Sequence, residues 1–261
     1  MTVKSLVTGG SGFLGRAIVD AIHEHHPDWE VSVLDIKTSI TTSTTTATAT
    51  ATSPAETTST KYRVSYHVCD VTSLQQVHQT IRAIRPTLII HAAGIVPANN
   101  ARYGRSDEAR IRAVNVDGTR NVVHAARECG VKALVYTSSC TAVTDDLSRQ
   151  YPNIDERWPT VAPLRSLVYG ESKVAAERLV LAANKPSTTG LATACIRPPP
   201  IVGPGDETFL PAVVDLIDQG VTSFCLGDGL NLWDLAYVTN VADAHVLAAA
   251  NLLSEKKTAA G

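Results

Sequence analysis

Two periodicities take turns along this chain. A short, largely apolar run centred on Ser5-Leu6-Val7-Thr8 reads as a strand, and Phe13, Leu14, Ile18, Val19 and Ile22 then recur at helical spacing. The same exchange repeats downstream. Trp29 to Ile36 forms a second strand and Arg63 to Val71 a third, while Leu74, Val77, Ile81 and Ile84 mark a helical face that Pro86 stops. Thr87 to Gly94 is a fourth strand. A helix is expected from about Asp107 to Gly130, with Asn115, Val116, Gly118, Thr119, Val122 and Val123, and Lys132 to Ser139 is a fifth strand. Leu167 to Ala183 is helical, as Val174, Leu179 and Val180 suggest. Strands apolar on both faces, alternating with helices, predict an α/β protein whose parallel sheet is covered on each side.

One segment breaks the pattern. Residues 38–60 are dominated by Thr and Ser with hardly a large apolar side chain. Such a stretch cannot bury enough surface to offset its ordering entropy, so it is expected to be a disordered and inert surface insertion.

The first strand-to-helix junction carries candidate chemistry. Gly9 lets the chain turn tightly out of the strand, Gly12 lets its backbone approach a pyrophosphate with no Cβ in the way, and Gly15 lets the helix pack closely on the sheet. The helix start, with Phe13 and Leu14 in its first turn, aims free N–H groups and a positive dipole end at the phosphates. Asp35 lies 20 residues beyond Gly15 at the end of the second strand. A carboxylate there accepts both ribose hydroxyls of an adenosine and repels a 2′-phosphate, so NAD is favoured over NADP. Lys37 close by softens that exclusion and keeps NADP within reach. Asp70 and Val71, ending the third strand, are expected where the adenine ring lies, and Ala92, Ala93 and Gly94 leave room for the cofactor backbone. Together these features imply a Rossmann-type doubly wound sheet.

Bulk properties narrow the partners. The 261 residues suit one large domain, or one domain with a small appendage. A net charge of −2 gives no reason to expect nucleic acid or an anionic membrane as partner. Cys69, Cys129, Cys140, Cys195 and Cys225 form no CxxC pair and read as free thiols in a reducing compartment, with no metal site among them. Strand one begins at residue 3, which argues against a signal peptide, and no apolar run reaches the roughly 18 residues that span a bilayer. A soluble, cytoplasmic protein is expected.

Ser139 ends the fifth strand, at the sheet edge where open α/β proteins bind ligands. Further on, Tyr169 and Lys173 share one helix face at i, i+4. A free tyrosine titrates near pH ~10 and is a poor base at neutrality. An ammonium nearby favours the phenolate, so Tyr169 could remove an alcohol proton while hydride leaves for a nicotinamide. Ser139 would hydrogen-bond the same oxygen.

Thr8-Gly-Gly-Ser-Gly-Phe-Leu-Gly15, Asp70-Val71, His91-Ala-Ala-Gly94, Asn115-Val-Asp-Gly-Thr119, Val135-Tyr-Thr-Ser-Ser139 and Tyr169-x-x-x-Lys173 resemble the extended short-chain dehydrogenase/reductases. Within them the chain is similar to the 3β-hydroxysteroid dehydrogenase group, notably the sterol-4α-carboxylate 3-dehydrogenases (decarboxylating). Ile196 to Asp206 and Leu226 to His245 fit that group too. The resemblance implies Tyr169 as general acid/base, Lys173 on the nicotinamide ribose, and Ser139 rather than Ser138 as the family serine. It also implies that Arg197 and Pro198 open the loop meeting the nicotinamide end, and that Asn115 positions its helix or joins a proton relay. The implied reaction oxidises a 3β-hydroxyl of a sterol or related polycyclic terpenoid. On a 4α-carboxylate it yields a β-keto acid that loses CO₂ without a further catalytic residue.

Residues 1–195 are assigned to the NAD-binding domain, and 196–261 to a partial substrate lobe plus returning sheet elements, C-terminally truncated relative to the family. The pieces 206–219 and 224–231 are the retained fragment of that lobe. Steroid turnover is accordingly expected to be weak or absent unless another subunit completes the pocket. The helices near 107–130 and 167–184 could pair in a homodimer, as is common in the superfamily, and family resemblance also points to the endoplasmic reticulum periphery. The alternatives are another extended-family substrate, such as a nucleotide sugar or a dihydroflavonol-like ketone, and a truncated NAD-binding protein with little turnover.

Overall fold

The computed structural model describes residues 2–37, 64–97, 104–144, 150–161, 167–185, 190–223, 228, 230 and 233–254. The expected insertion at 38–60 and most of 224–231 lie outside the described residues.

Six parallel strands form the main sheet in the order β3-β2-β1-β4-β5-β6. They are β1 (Lys4–Thr8), β2 (Glu30–Asp35), β3 (Val64–Val68), β4 (Leu88–His91), β5 (Ala133–Thr137) and β6 (Ala192–Ile196). Successive side chains in a strand face opposite ways, and here they feed two cores. Leu6, Ile89 and Leu134 join the cluster with Val77, Ile81, Val122 and Val180; Val7, Ile90 and Val135 join the one with Ile18, Ile22, Val246 and Ala249. The first side is covered by α2 (Leu74–Ile84), α4 (Thr119–Glu128) and α6 (Val168–Ala182), the second by α1 (Phe13–His25) and α8 (Val238–Leu253). The expected doubly wound architecture is therefore present.

Two details differ from expectation. β3 is an edge strand, and Tyr66 and Val68 are exposed, so it is not covered on both faces. The long helix is α3 (Glu108–Arg112), then a π-helical stretch (Ala113–Gly118), then α4. A π segment shares the apolar spacing of its flanks closely enough to escape a pattern search, and such segments concentrate at functional sites. Gly118 occupies this stretch because Val71 presses on it: a Cβ there would lie 2.8 Å from Val71 Cγ2.

Beyond β6 come the two-stranded parallel ladder of β7 (Ile201–Val202) with β8 (Ala236–Tyr237), and α7 (Phe209–Asp218). No residue of α7 is buried, although Leu210, Val214 and Ile217 are apolar. The chain then returns through α8 to the main sheet, where Ala242 and Val246 pack in the core. A short helix, α5 (Thr141–Thr144), follows β5.

Candidate active site

The switch in strand order falls between β1 and β4, and the crevice at their carboxyl ends is where such sheets take ligands. Gly9 has φ +70°, donates its N–H to Leu34 O at 2.8 Å, and would drive a Cβ to 2.8 Å from Ala93 Cα. Gly15 is more constrained, since its Cβ would meet Gly9 O at 2.1 Å. Gly12 differs: an added Cβ meets only Gly9 O, at 3.2 Å, within a 4 Å radius. That contact is tight but far less severe than the one at Gly15. Gly12 is also the N-cap of α1 and lacks a side-chain cap, and no acidic residue stands in the first turn with Phe13 and Leu14. Free N–H groups beside open space are what a pyrophosphate requires. The residues present thus fit a dinucleotide. Gly10, unremarked in the sequence, packs on Val33, with a Cβ only 2.7 Å from Val33 Cγ2.

Asp35 accepts the Ser11 N–H on Oδ2 at 3.0 Å and the Lys37 N–H on Oδ1 at 3.3 Å. It braces the glycine turn, and each oxygen keeps acceptor capacity for a ribose hydroxyl. Asp70 and Val71 lie past the end of β3, in the turn into α2. Asp70 is exposed and its Oδ1 accepts the Thr72 N–H at 2.9 Å, whereas the Val71 side chain is buried in the core. At the end of β4, Gly94 would place a Cβ 3.4 Å from Lys173 Nζ and 3.2 Å from Asn115 Oδ1. The small-residue run Ala92-Ala93-Gly94 therefore borders the Lys173 ammonium directly.

Lys173 is 5% exposed and donates to Thr137 O at 2.9 Å. Burial pulls its pKa down to about 8. Its Nζ lies 5.7 Å from the Tyr169 ring centroid and 5.1 Å from that of Tyr136. The two tyrosines are not equivalent. Tyr136 is buried to 1% exposure, and desolvation pushes its phenol well above the ordinary value, so it stays protonated. Tyr169, in the first turn of α6, is 9% exposed.

Ser138 and Ser139 also separate cleanly. Ser138 donates its hydroxyl to Glu177 Oε2 at 2.7 Å. Ser139 Oγ accepts the Thr141 N–H at 3.2 Å and the Thr141 hydroxyl at 3.0 Å, which fills its acceptor positions and leaves its proton to give. Ala142, just past Ser139, packs with Val174 of α6, which fixes the strand end against the Tyr169/Lys173 helix.

Several residues that pattern did not single out build the frame. His91 is fully buried and held neutral, with its pKa near 3, chiefly by desolvation. Because Thr119 donates its hydroxyl to Asn115 O at 2.7 Å, it must accept from His91 Nε2 at 3.0 Å. His91 Nδ1 then accepts from the Thr8 hydroxyl at 2.6 Å, and Thr8 Oγ1 takes the Ala93 N–H at 3.3 Å. Asn115 clamps Ile95, accepting its N–H at 2.7 Å and donating to its carbonyl at 3.1 Å, and also donates to Ser172 Oγ at 3.0 Å. Its backbone carbonyl accepts the Thr119 hydroxyl. On the far side His245 donates Nδ1–H to Val241 O at 2.7 Å, so its Nε2 accepts the Thr137 hydroxyl at 2.8 Å. Glu171, between Tyr169 and Lys173, is gripped by Arg105 and Arg112 at 3.1 and 2.6 Å, which ties α3 to α6. The guanidinium of Arg197 goes to Glu177, at 2.6 Å for the shorter bond, and Pro198 O accepts the Cys140 N–H at 3.0 Å.

Strand order, glycine turn and the Tyr169/Lys173 pair define a Rossmann-fold protein of the short-chain dehydrogenase/reductase type. Solved structures agree on the fold: UDP-glucose 4-epimerase from Thermus thermophilus, crystallised with NAD, superposes with TM-score 0.69 at 25% identity, covering 95% of this chain and 74% of that one. The chain belongs to the 3-beta hydroxysteroid dehydrogenase/isomerase family, whose sequence profile it matches over residues 6–261. It is 33% identical to sterol-4-alpha-carboxylate 3-dehydrogenase, decarboxylating, of Saccharomyces cerevisiae, over 96% of this chain and 66% of the relative. It is 34% identical to 3beta-hydroxysteroid-dehydrogenase/decarboxylase isoform 1 of Arabidopsis thaliana, over 95% of this chain and 53% of the relative. The chain thus spans about two thirds of the yeast relative and about half of the plant one.

Proposed function

We propose that this chain is an NAD-dependent oxidoreductase that converts a sterol 3β-hydroxyl to a ketone, with loss of CO₂ where the substrate carries a 4α-carboxylate. One observation carries it: the buried Lys173 ammonium lies between the Gly94 turn and the Tyr169 ring, 5.7 Å from the latter's centroid. An ammonium has three donors, so Lys173 can serve Thr137 O and two ribose hydroxyls together. NAD, when bound, supplies the hydride acceptor. Gly9, Gly12, Gly15 and the first turn at Phe13 and Leu14 hold its pyrophosphate, Asp35 its adenosine ribose, and Ala92–Gly94 its backbone. Asp70 offers a carboxylate near the adenine, while Val71 supports that end from within the core.

Ser139 donates a hydrogen bond to the substrate oxygen and fixes its direction. Tyr169 takes the hydroxyl proton, with the Lys173 ammonium beside its ring. Oxidation leaves a ketone β to the carboxylate. The C–C bond to the carboxylate then breaks, its electron pair passes into the ketone as an enolate, and a proton restores the ketone. The sterol-active names of relatives above 30% identity favour this substrate class over a nucleotide sugar. We retain the boundary near residue 195 between cofactor domain and partial substrate lobe, and a homodimer through α3–α4 and α6.

Mixing the protein with NAD and a panel of 3β-hydroxysterols, with and without a 4α-carboxylate, tests the reading. NADH absorbance should rise with the sterols and CO₂ should appear only with the carboxylates. NADH formation with UDP-sugars alone would overturn the substrate assignment.

A further inference from the structure

Residues 169, 173 and 177 stand at i, i+4 and i+8 on α6, so Glu177 continues the stripe that Tyr169 and Lys173 begin. It is 2% exposed. Its carboxylate accepts the Ser138 hydroxyl at 2.7 Å, Arg197 Nη2 at 2.6 Å and Arg197 Nε at 3.1 Å. Fork-to-fork pairing of a guanidinium with a carboxylate is directional as well as strong. Three elements therefore meet at one side chain: the end of β5 through Ser138, the loop after β6 through Arg197, and α6 itself. The backbone makes the same junction, with Ser138 N–H on Ile196 O at 2.8 Å and Cys140 N–H on Pro198 O at 3.0 Å.

A buried ion pair is a poor device for stability alone, because apolar residues of the same volume often serve as well or better. What it fixes is direction. Each element it joins carries a neighbour that the reaction needs: Ser139 beside Ser138, Pro198 beside Arg197, and Lys173 one turn before Glu177. None of Gly9, Gly12, Gly15 or Asp35 is among its hydrogen-bond partners.

We propose that Glu177 is a positioning residue for the nicotinamide half of the site, holding the Ser139 strand end and the Arg197–Pro198 loop in register with the Tyr169/Lys173 helix. This rests on the dinucleotide site proposed above. The consequence is selective by ligand half, which a merely structural role does not produce.

The test is a pair of titrations on the unmodified chain, Glu177→Gln and Ser138→Ala. ADP probes the adenosine and pyrophosphate half, and NADH, followed by nicotinamide fluorescence, probes the whole site. In Glu177→Gln the ADP Kd should stay within about twofold while NADH binding weakens about tenfold and its fluorescence enhancement falls, as expected for a displaced reactive end. Ser138→Ala keeps the ion pair and removes one arm, so it should move NADH binding in the same direction by less; it carries the test alone if Glu177→Gln does not fold. Equal losses for both ligands, or NADH binding unchanged in the folded variants, overturn the proposal. An unmodified chain that binds neither ligand overturns the cofactor reading, and this inference with it.

Discussion

At the scale of single residues, the three glycines of the first turn do different jobs. Gly15 is demanded by the fold, because its Cβ would sit 2.1 Å from a backbone oxygen and 2.6 Å from Gly10 Cα. Gly12 has φ −78° and ψ 176°, which any residue adopts, and a Cβ there would meet only Gly9 O, at 3.2 Å. We therefore expect Gly15→Ala to destabilise the protein by roughly 3 kcal/mol or more through forced backbone movement. Gly12→Ala should lower the melting temperature far less than Gly15→Ala does, and weaken NAD binding about tenfold or more. Thermal unfolding and fluorescence titration of both variants check this, and a Gly12→Ala protein that binds NAD like the parent would contradict the cradle. The triplet was legible in the sequence, but this division of labour was not, because spacing says nothing about which neighbour a missing Cβ would strike.

At the scale of elements, α8 is tied to β5 through His245, whose Nε2 accepts from Thr137, the residue whose carbonyl receives Lys173. Burial lowers the pKa of His245 to about 4 and of His91 to about 3. In the unfolded chain both titrate near ~6.5. Below that pH the unfolded state binds protons that the native state refuses, so stability falls with falling pH from about 6.5 towards 4, by up to roughly 1.4 kcal/mol per pH unit for each histidine. Denaturant unfolding at pH 7, 6 and 5 should show this slope, and His245→Asn, though less stable at pH 7, should show a shallower one. An unchanged slope in that variant would remove His245 from the account. Neither histidine stood out as a titrating group, since a buried histidine and a surface one look alike until the helices are packed. The strands and most helices were legible because apolar period and element type coincide. The edge position of β3 and the π-helical stretch were not, for the first depends on sheet order and the second leaves the apolar spacing almost intact.

At the scale of the whole molecule, the sheet order brings together residues from distant parts of the chain. Gly94 after β4, Ser139 after β5, Arg197 after β6 and the Tyr169/Lys173 helix meet at the carboxyl edge, where the glycine turn also opens. Motif spacing found most of these members one at a time. It missed Glu177, which acquires meaning only when Arg197 and Ser138 arrive from other strands. The Val71 side chain is buried and packs against Gly118, a contact that only the folded chain reveals.

The central claim is that Tyr169 moves the hydroxyl proton while the cofactor is bound elsewhere in the same site. Replacing Tyr169 with Phe removes one oxygen and keeps the ring beside Lys173. Turnover of a 3β-hydroxysterol with NAD, measured as NADH formation alongside the NAD Kd, separates the two roles. We predict at least a hundredfold loss of kcat, in the range expected for a lost general base, with the Kd for NAD within about threefold of the parent. Turnover at the parental rate in Tyr169→Phe would contradict the account.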